Sequence, residues 1–203
     1  SIQQAEVMEL FCNHITEDMK ITTGVGNHQM LAAQYLKTLK PKSFLTSGGY
    51  GTMGFALPAA IGAHFADPDA TIIAIDGDGS LQMNLGELLT IGKYGLPVKV
   101  LLLNNHGDCM VRNYQDYVYE SRYVGTEKIT SFNFAEFAGV ANFKFYKRVE
   151  DRSDLKQSLV ELIDAEGPSF LEVVCDVDET LYPRIPGGLG YKDMDLGPYM
   201  GNS

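Results

Sequence analysis

The sequence predicts an α/β fold, a doubly wound and mostly parallel sheet flanked by helices. Residues 71–75 and 98–103 are continuous apolar runs of strand length, the pattern of parallel strands buried on both faces. The text between them, 84–94, reads as a helix that closes at Gly95-Leu96-Pro97. Strand and helix alternate through the chain, which places a functional site at the carboxyl ends of the strands.

The elements follow in order. Residues 5–19 carry apolar side chains at Ala5, Met8, Leu10, Phe11, Ile15 and Met19 with polar residues between them, a helical period. Residues 20–25 read as a short strand. Asn27 is placed to cap a helix running to about Lys37, ended by Lys40-Pro41. A glycine-rich segment, 47–54, precedes a helix of small residues over 55–65. The stretch 105–129 is expected to be disordered or displaced without a ligand. Asn133 caps a helix reaching Ala138, and 143–149 is a strand. Asp151 and Ser153 open an amphipathic helix to about Ala165, terminated by Gly167-Pro168, and 170–175 is the last strand. Residues 1–181 are expected to form the folded domain and 182–203 an irregular Gly/Pro-rich tail, also mobile without a ligand.

The chain of 203 residues is 45% hydrophobic and 21% charged, the balance of one globular domain. Its formal charge of −10 argues against nucleic acid or an anionic membrane as partner. An anionic ligand would therefore have to be held by local features. Cys12, Cys109 and Cys175 are too few for a disulfide framework and lack zinc-site spacing, so cytoplasm is the default location. No run of about 18 apolar residues is present. The chain opens inside helical text, so a fragment of a longer polypeptide is expected.

Chemistry concentrates in Asp76-Gly77-Asp78-Gly79-Ser80 and, one helix and one strand later, Asn104-Asn105. Strands ending at these two places bring a carboxylate and a carboxamide oxygen together at one sheet edge. Hard oxygens of that kind suit Mg²⁺, which keeps waters and takes further oxygens from a diphosphate. Gly77 and Gly79 let the backbone approach the phosphates, and Ser80 opens a helix whose N–H groups face the anion. The plainer alternative is a helix cap at Asp78 and a turn at Asn104-Asn105; both motifs at this spacing favour the metal. Gly26, Asn27 and His28, at a strand-to-helix junction, are placed to contact the terminal phosphate. His14, His64 and His106 fit surface or loop positions, and Glu87 and Glu120 structural or solvated ones.

Gly-Asp-Gly followed by Asn-Asn resembles the cofactor motif of thiamine-diphosphate enzymes. The segments 25–30 (Val-Gly-Asn-His-Gln-Met) and 47–63, from Ser47-Gly48-Gly49-Tyr50-Gly51-Thr52-Met53-Gly54 through Gly62-Ala63, resemble acetolactate (acetohydroxyacid) synthase catalytic subunits. The similarity runs from about Thr22 to Val174, nearly ungapped as far as Val111. The resemblance implies the diphosphate-binding domain, last of three, with the thiamine-diphosphate-binding fold. It implies that the Gly51 carbonyl accepts from the cofactor's exocyclic amine and that Met53 wedges between its two rings, bending the cofactor so that the amine nears thiazolium C2. It adds the Gly107 carbonyl as third metal ligand, Met110 as a cofactor contact, and Val111 and Tyr114 as substrate residues.

The implied reaction is decarboxylation of pyruvate, a 2-keto acid, with transfer of the two-carbon unit to a second carbonyl, in branched-chain amino acid biosynthesis. Another carboligase, a simple 2-keto acid decarboxylase, or a non-catalytic cofactor-binding module would share the same half-site. The activating glutamate is expected from the pyrimidine-binding domain of a neighbouring subunit in a homodimer or homotetramer, and FAD from a middle domain. The isolated domain is therefore expected to be inactive. Three departures bear on substrate: Tyr114 where the synthases carry tryptophan, Cys109 where they carry glycine, and Ile185-Pro186-Gly187-Gly188 in place of Ile-Pro-Ser-Gly-Gly.

Overall fold

The aliphatic runs become the middle of one sheet. The computed structural model describes residues 1–37, 40–127 and 132–197. Its strands are β1 (Met19–Thr23), β2 (Phe44–Thr46), β3 (Thr71–Gly77), β4 (Val98–Asn104), β5 (Phe145–Val149) and β6 (Ser169–Val174). They pair in the order β2-β1-β3-β4-β6-β5, every pairing parallel. The helices are α1 (Gln4–Cys12), α2 (Asn27–Tyr35), α3 (Ala56–Ala66), α4 (Asp78–Met83), α5 (Glu87–Tyr94), α6 (Cys109–Tyr119), α7 (Phe134–Val140) and α8 (Arg152–Asp164).

Alternate residues of the strands feed two cores. On one face Ile73, Ile75, Leu101, Leu103 and Val173 pack with Phe11 of α1, Leu31 of α2 and Leu159 of α8. On the other, Ile72, Ala74, Val100, Leu102 and Phe170 pack with Leu57 of α3, Ile91 of α5 and Phe134 of α7. Each large side chain withdrawn from water contributes about 1.5–3 kcal/mol, and two such layers explain why β3 and β4 show no polar alternation. Lys99 interrupts the β4 run. Its ammonium reaches out to the carbonyls of Ala165 and Gly167 beyond the end of α8, and burial lowers its pKa.

Topology fixes where the site lies. The chain leaves β1 for the edge strand β2, then returns past β1 to β3, so the connections after β1 and β3 run in opposite directions and open a crevice between them. The amino end of α1 is tied to the same rim of the sheet. Ile2 bridges Cys175 just past β6, and Glu179 accepts from the N–H groups of Gln4 (2.6 Å) and Ala5 (3.0 Å).

Several boundaries differ from the sequence-based expectations. The helix over 5–19 stops at Cys12, where the N–H groups of Asn13 and His14 turn back to Leu10 and Phe11; Met19 is buried as a strand residue instead. The helix expected over 84–94 begins only at Glu87 and is preceded by the separate α4, because Asn84 between them leaves helical geometry and its amide donates to the Gly54 carbonyl (2.8 Å). β2, only three residues long, has no sequence expectation behind it. The stretch 105–129, for which the sequence gives no helix expectation, holds the 11-residue α6. Asn133 and Asp151 cap α7 and α8 as expected. In the tail, Arg184 stacks 3.3 Å from the centre of the Tyr117 ring on α6 and pairs with Asp195. The parts of these expectations that fall on 128–131 and 198–203 lie outside the described residues.

Candidate functional site

A cleft of about 240 Å³ opens at the carboxyl ends of β1, β3 and β4. The loop after β1 brings Gly26, Asn27 and His28 to it, and the 47–54 loop brings Gly51 and Met53. The end of β3 and the start of α4 supply Gly77, Asp78, Gly79 and Ser80; the end of β4 and the start of α6 supply Asn105, Gly107, Met110 and Val111. Tyr114 is not among its walls. One turn further along α6, it lines an adjoining groove of about 170 Å³ that shares Asn27 and Met110 with the cleft.

Two expected roles are corrected. Asn27 does not cap α2: Gly26 holds the cap position, and both side-chain atoms of Asn27, a residue only 4% exposed, are buried without a partner. Ser80 does not open its helix, which begins at Asp78. Its hydroxyl is turned beneath the cleft, where the N–H groups of Gly54 (2.9 Å) and Val25 (3.4 Å) donate to it. Ser80 thus ties the 47–54 loop and the β1 loop to α4.

His28 is buried against the strand end. A Cβ on Gly77 would lie 2.7 Å from His28 Nδ1, so glycine at 77 is what admits the ring. His28 Nε2 is 3.4 Å from Asp76 Oδ1 but outside hydrogen-bond geometry, and has no other partner. Asp76 itself braces the β3 turn by accepting from Gly77 N–H (3.0 Å).

The Asn104-Asn105 pair divides its labour. Asn104 Nδ2 donates to Glu172 (2.7 Å), and Asn104 Oδ1 accepts from His106 N–H (3.0 Å), which fixes the loop. Glu172 in turn accepts from Arg148 (2.7 Å) and Ala135 N–H (3.1 Å). His106 adopts a left-handed φ of 57°, and its pKa is lowered by burial and then by Arg148. Asn105 is thereby aimed at Asp78 and at the Gly107 carbonyl, its amide contacting them at 3.3 and 3.0 Å.

These residues fit a hard divalent cation shared with a diphosphate. Among the described residues no group of three His, Cys, Asp or Glu side chains comes together, so the donor set is one carboxylate with two neutral oxygens. Such a set leaves coordination positions for phosphate oxygens and water. The orphaned polar atoms of Asn27 and His28 on the opposite wall need a polar ligand.

Cys109, the first residue of α6, is 3% exposed, and burial pushes its thiol up to about 12. The sequence reading missed Gln4, which is 1% exposed and lines the cleft from α1, a hundred residues away from its neighbour Asn105 in the chain. It also missed the bracing roles of Asp76 and Glu172. No local signal marks Gln4; a glutamine at the start of a helix reads as surface.

Residues 24–173 match the family described as thiamine pyrophosphate enzyme, C-terminal TPP binding domain. The chain is 43% identical over 185 residues to the mitochondrial acetolactate synthase catalytic subunit of Aspergillus candidus, covering 91% of this chain and 26% of that protein. It is 45% identical over 174 residues to the mitochondrial acetolactate synthase of Schizosaccharomyces pombe, with 86% and 26% covered. Chloroplastic acetolactate synthase 2 of Nicotiana tabacum is 44% identical over 184 residues, with 86% and 27% covered. The chain spans about a quarter of the length of these curated relatives. With its parallel sheet and a cleft at the first switch point, the chain belongs to the thiamine pyrophosphate enzyme family, as its C-terminal TPP-binding domain.

Proposed function

We propose that this domain holds thiamine diphosphate through Mg²⁺ on Asp78, Asn105 and the Gly107 carbonyl, in an enzyme that decarboxylates pyruvate and joins the two-carbon unit to a second 2-keto acid, as an acetolactate synthase. The observation that carries this reading is the convergence of those three oxygen-bearing groups at the ends of β3 and β4. Bound thiamine diphosphate would supply a carbon nucleophile for the keto carbonyl and an electron sink for loss of carbon dioxide.

The chain's own residues bind, orient and exclude water. Asp78 contributes the one full negative charge to the metal, so the cation keeps a net positive charge to set against the diphosphate. Asn27 and His28 give the opposite wall its unpaired hydrogen-bonding atoms, suited to fixing the terminal phosphate. Gly51, at a φ of 62°, is held by its own N–H donating to the Ser47 carbonyl (3.0 Å), which presets the loop that carries Met53. Met53, Met110 and Val111 form apolar walls that keep water from the reacting end. No glutamate lines the cleft among the described residues. On the likeness to acetolactate synthases, the activating carboxylate is assigned to a pyrimidine-binding domain, from a second subunit of a homodimer or homotetramer. The exposed face of α6, with Val111, Tyr114 and Val118 at 50%, 56% and 49% exposure, supports such a partner. FAD, where present, belongs to a middle domain.

The experiment compares the complete protein carrying this domain with the 203-residue chain alone. Both receive pyruvate, Mg²⁺ and thiamine diphosphate, and acetolactate, acetaldehyde and carbon dioxide are measured. Acetolactate from the complete protein and no turnover by the chain alone is the expected result. Acetaldehyde as the product would replace carboligation by simple decarboxylation, and equal rates from the two would overturn the composite site.

A further inference from the structure

The carboxamides of Gln4 and Asn105 meet head to head at the edge of the cleft, and their geometry admits two states. In the first, Asn105 nitrogen donates to Asp78 Oδ1 (3.3 Å) and to the Gly107 carbonyl (3.0 Å), and Asn105 oxygen accepts from Gln4 Nε2 (2.6 Å). In the second, Asn105 is turned through 180°, so that its oxygen faces Asp78 and Gly107 and its nitrogen faces Gln4. Nitrogen and oxygen occupy nearly the same positions in a carboxamide, so the choice is made by the neighbours.

Without a cation the first state wins, because the amide nitrogen neutralises the repulsion between two oxygens. With a cation it cannot persist: the metal needs the Asn105 oxygen, and a nitrogen turned toward Gln4 Nε2 would set donor against donor. Only a turn of Gln4 resolves that clash, bringing Oε1 onto the Asn105 nitrogen. Gln4 is suited to the turn. Its residue is 1% exposed, its main chain is pinned by Glu179 (2.6 Å), and its Oε1 is buried with no partner.

We propose that Gln4 is a positioning residue for the metal: the Gln4–Asn105 amide pair turns as a unit when the cation enters, and Gln4 Oε1 then holds the Asn105 oxygen on it. The inference rests on the Mg²⁺ reading of Asp78, Asn105 and Gly107. In the metal-free protein the same pair lets the Asn105 amide stand in for the cation between Asp78 and the Gly107 loop.

The test is Mn²⁺ binding to the complete protein in the presence of thiamine diphosphate, read by electron paramagnetic resonance of the free ion. Gln4→Met fills the same space without an acceptor and should weaken Mn²⁺ affinity about 10- to 100-fold, the usual cost of losing a ligand's supporting hydrogen bond. Gln4→Glu can only accept; it should bind Mn²⁺ at least as tightly as wild type while its metal-free form melts lower. Wild-type affinity in a folded Gln4→Met protein overturns the proposal. So does weaker binding by Gln4→Glu, which keeps the test available if the methionine variant does not fold. Asp78→Ala is the control that separates the two readings. Loss of Mn²⁺ there with none in Gln4→Met removes only the Gln4 role, whereas undiminished binding by Asp78→Ala removes the metal site itself.

Discussion

Replacing Glu172 by alanine should be among the most damaging single changes outside the cleft. Glu172, on β6, is 0% exposed and accepts from Asn104 Nδ2 (2.7 Å), Arg148 Nη1 (2.7 Å) and Ala135 N–H (3.1 Å). Truncation leaves the Asn104 amide and the Ala135 N–H buried without acceptors, at about 1–3 kcal/mol each. Arg148 suffers less, since its side chain is 20% exposed and also pairs with Glu150 at 2.7 Å. The two together cost about 2–6 kcal/mol, which brackets the about 3–5 kcal/mol found when one member of a buried charged pair is removed. For a domain of this size that lowers the melting temperature by roughly 10 °C. Glu172→Gln keeps one acceptor oxygen and should cost about 1–2 kcal/mol. Because Asn104 also holds His106 N–H, the alanine variant should loosen the loop carrying Asn105 and Gly107 and weaken metal binding as well. Urea unfolding followed by circular dichroism measures the first effect and Mn²⁺ titration the second. Melting of both variants within about 2 °C of wild type would refute the argument that this network carries stability.

Two further substitutions and one thiol reagent probe the remaining structure. Ser80→Ala removes the acceptor shared by Gly54 and Val25 N–H groups; stability should fall by about 1–3 kcal/mol and thiamine diphosphate affinity with it, as chemical denaturation and calorimetry would show. Gly92→Ala places a Cβ 1.6 Å from the Ala141 carbonyl oxygen, so α5 must move off α7 and stability should drop by about 3 kcal/mol or more in the same denaturation assay. At pH 8 a thiol reagent should modify Cys12 first, with Cys109 and Cys175 reacting only on unfolding, because burial raises both thiols, Cys109 to about 12. The fold holds these thiols protonated, so stability is intact below pH 9 and declines as pH rises from 9 toward 12.

What the sequence makes legible is what is local. Buried parallel strands read directly from 71–75 and 98–103, because both faces of β3 and β4 are covered and no polar residue is needed for solvent. Asn133 and Asp151 are legible as caps because a cap is satisfied within three residues. Asn27 has the same look and a different role: Gly26 takes the cap, leaving the Asn27 amide to the cleft. α6 is not legible although Val111, Tyr114 and Val118 have helical spacing, since its apolar stripe faces outward and the Asn104-Asn105 pair dominates the text before it. Gln4 and Glu172 are not legible at all. Each reaches its partner across the fold, Gln4 to Asn105 and Glu172 to Asn104, and nothing in the neighbouring sequence marks either as more than an ordinary helix or strand residue.

Coupling of metal to diphosphate through Asp78 is read by calorimetric titration of thiamine diphosphate into wild-type and Asp78→Ala protein, with and without Mg²⁺. Mg²⁺ should tighten cofactor binding by wild type at least about tenfold, a coupling of about 1.4 kcal/mol, and the alanine variant should show none. Metal-dependent binding of equal strength in Asp78→Ala would contradict it.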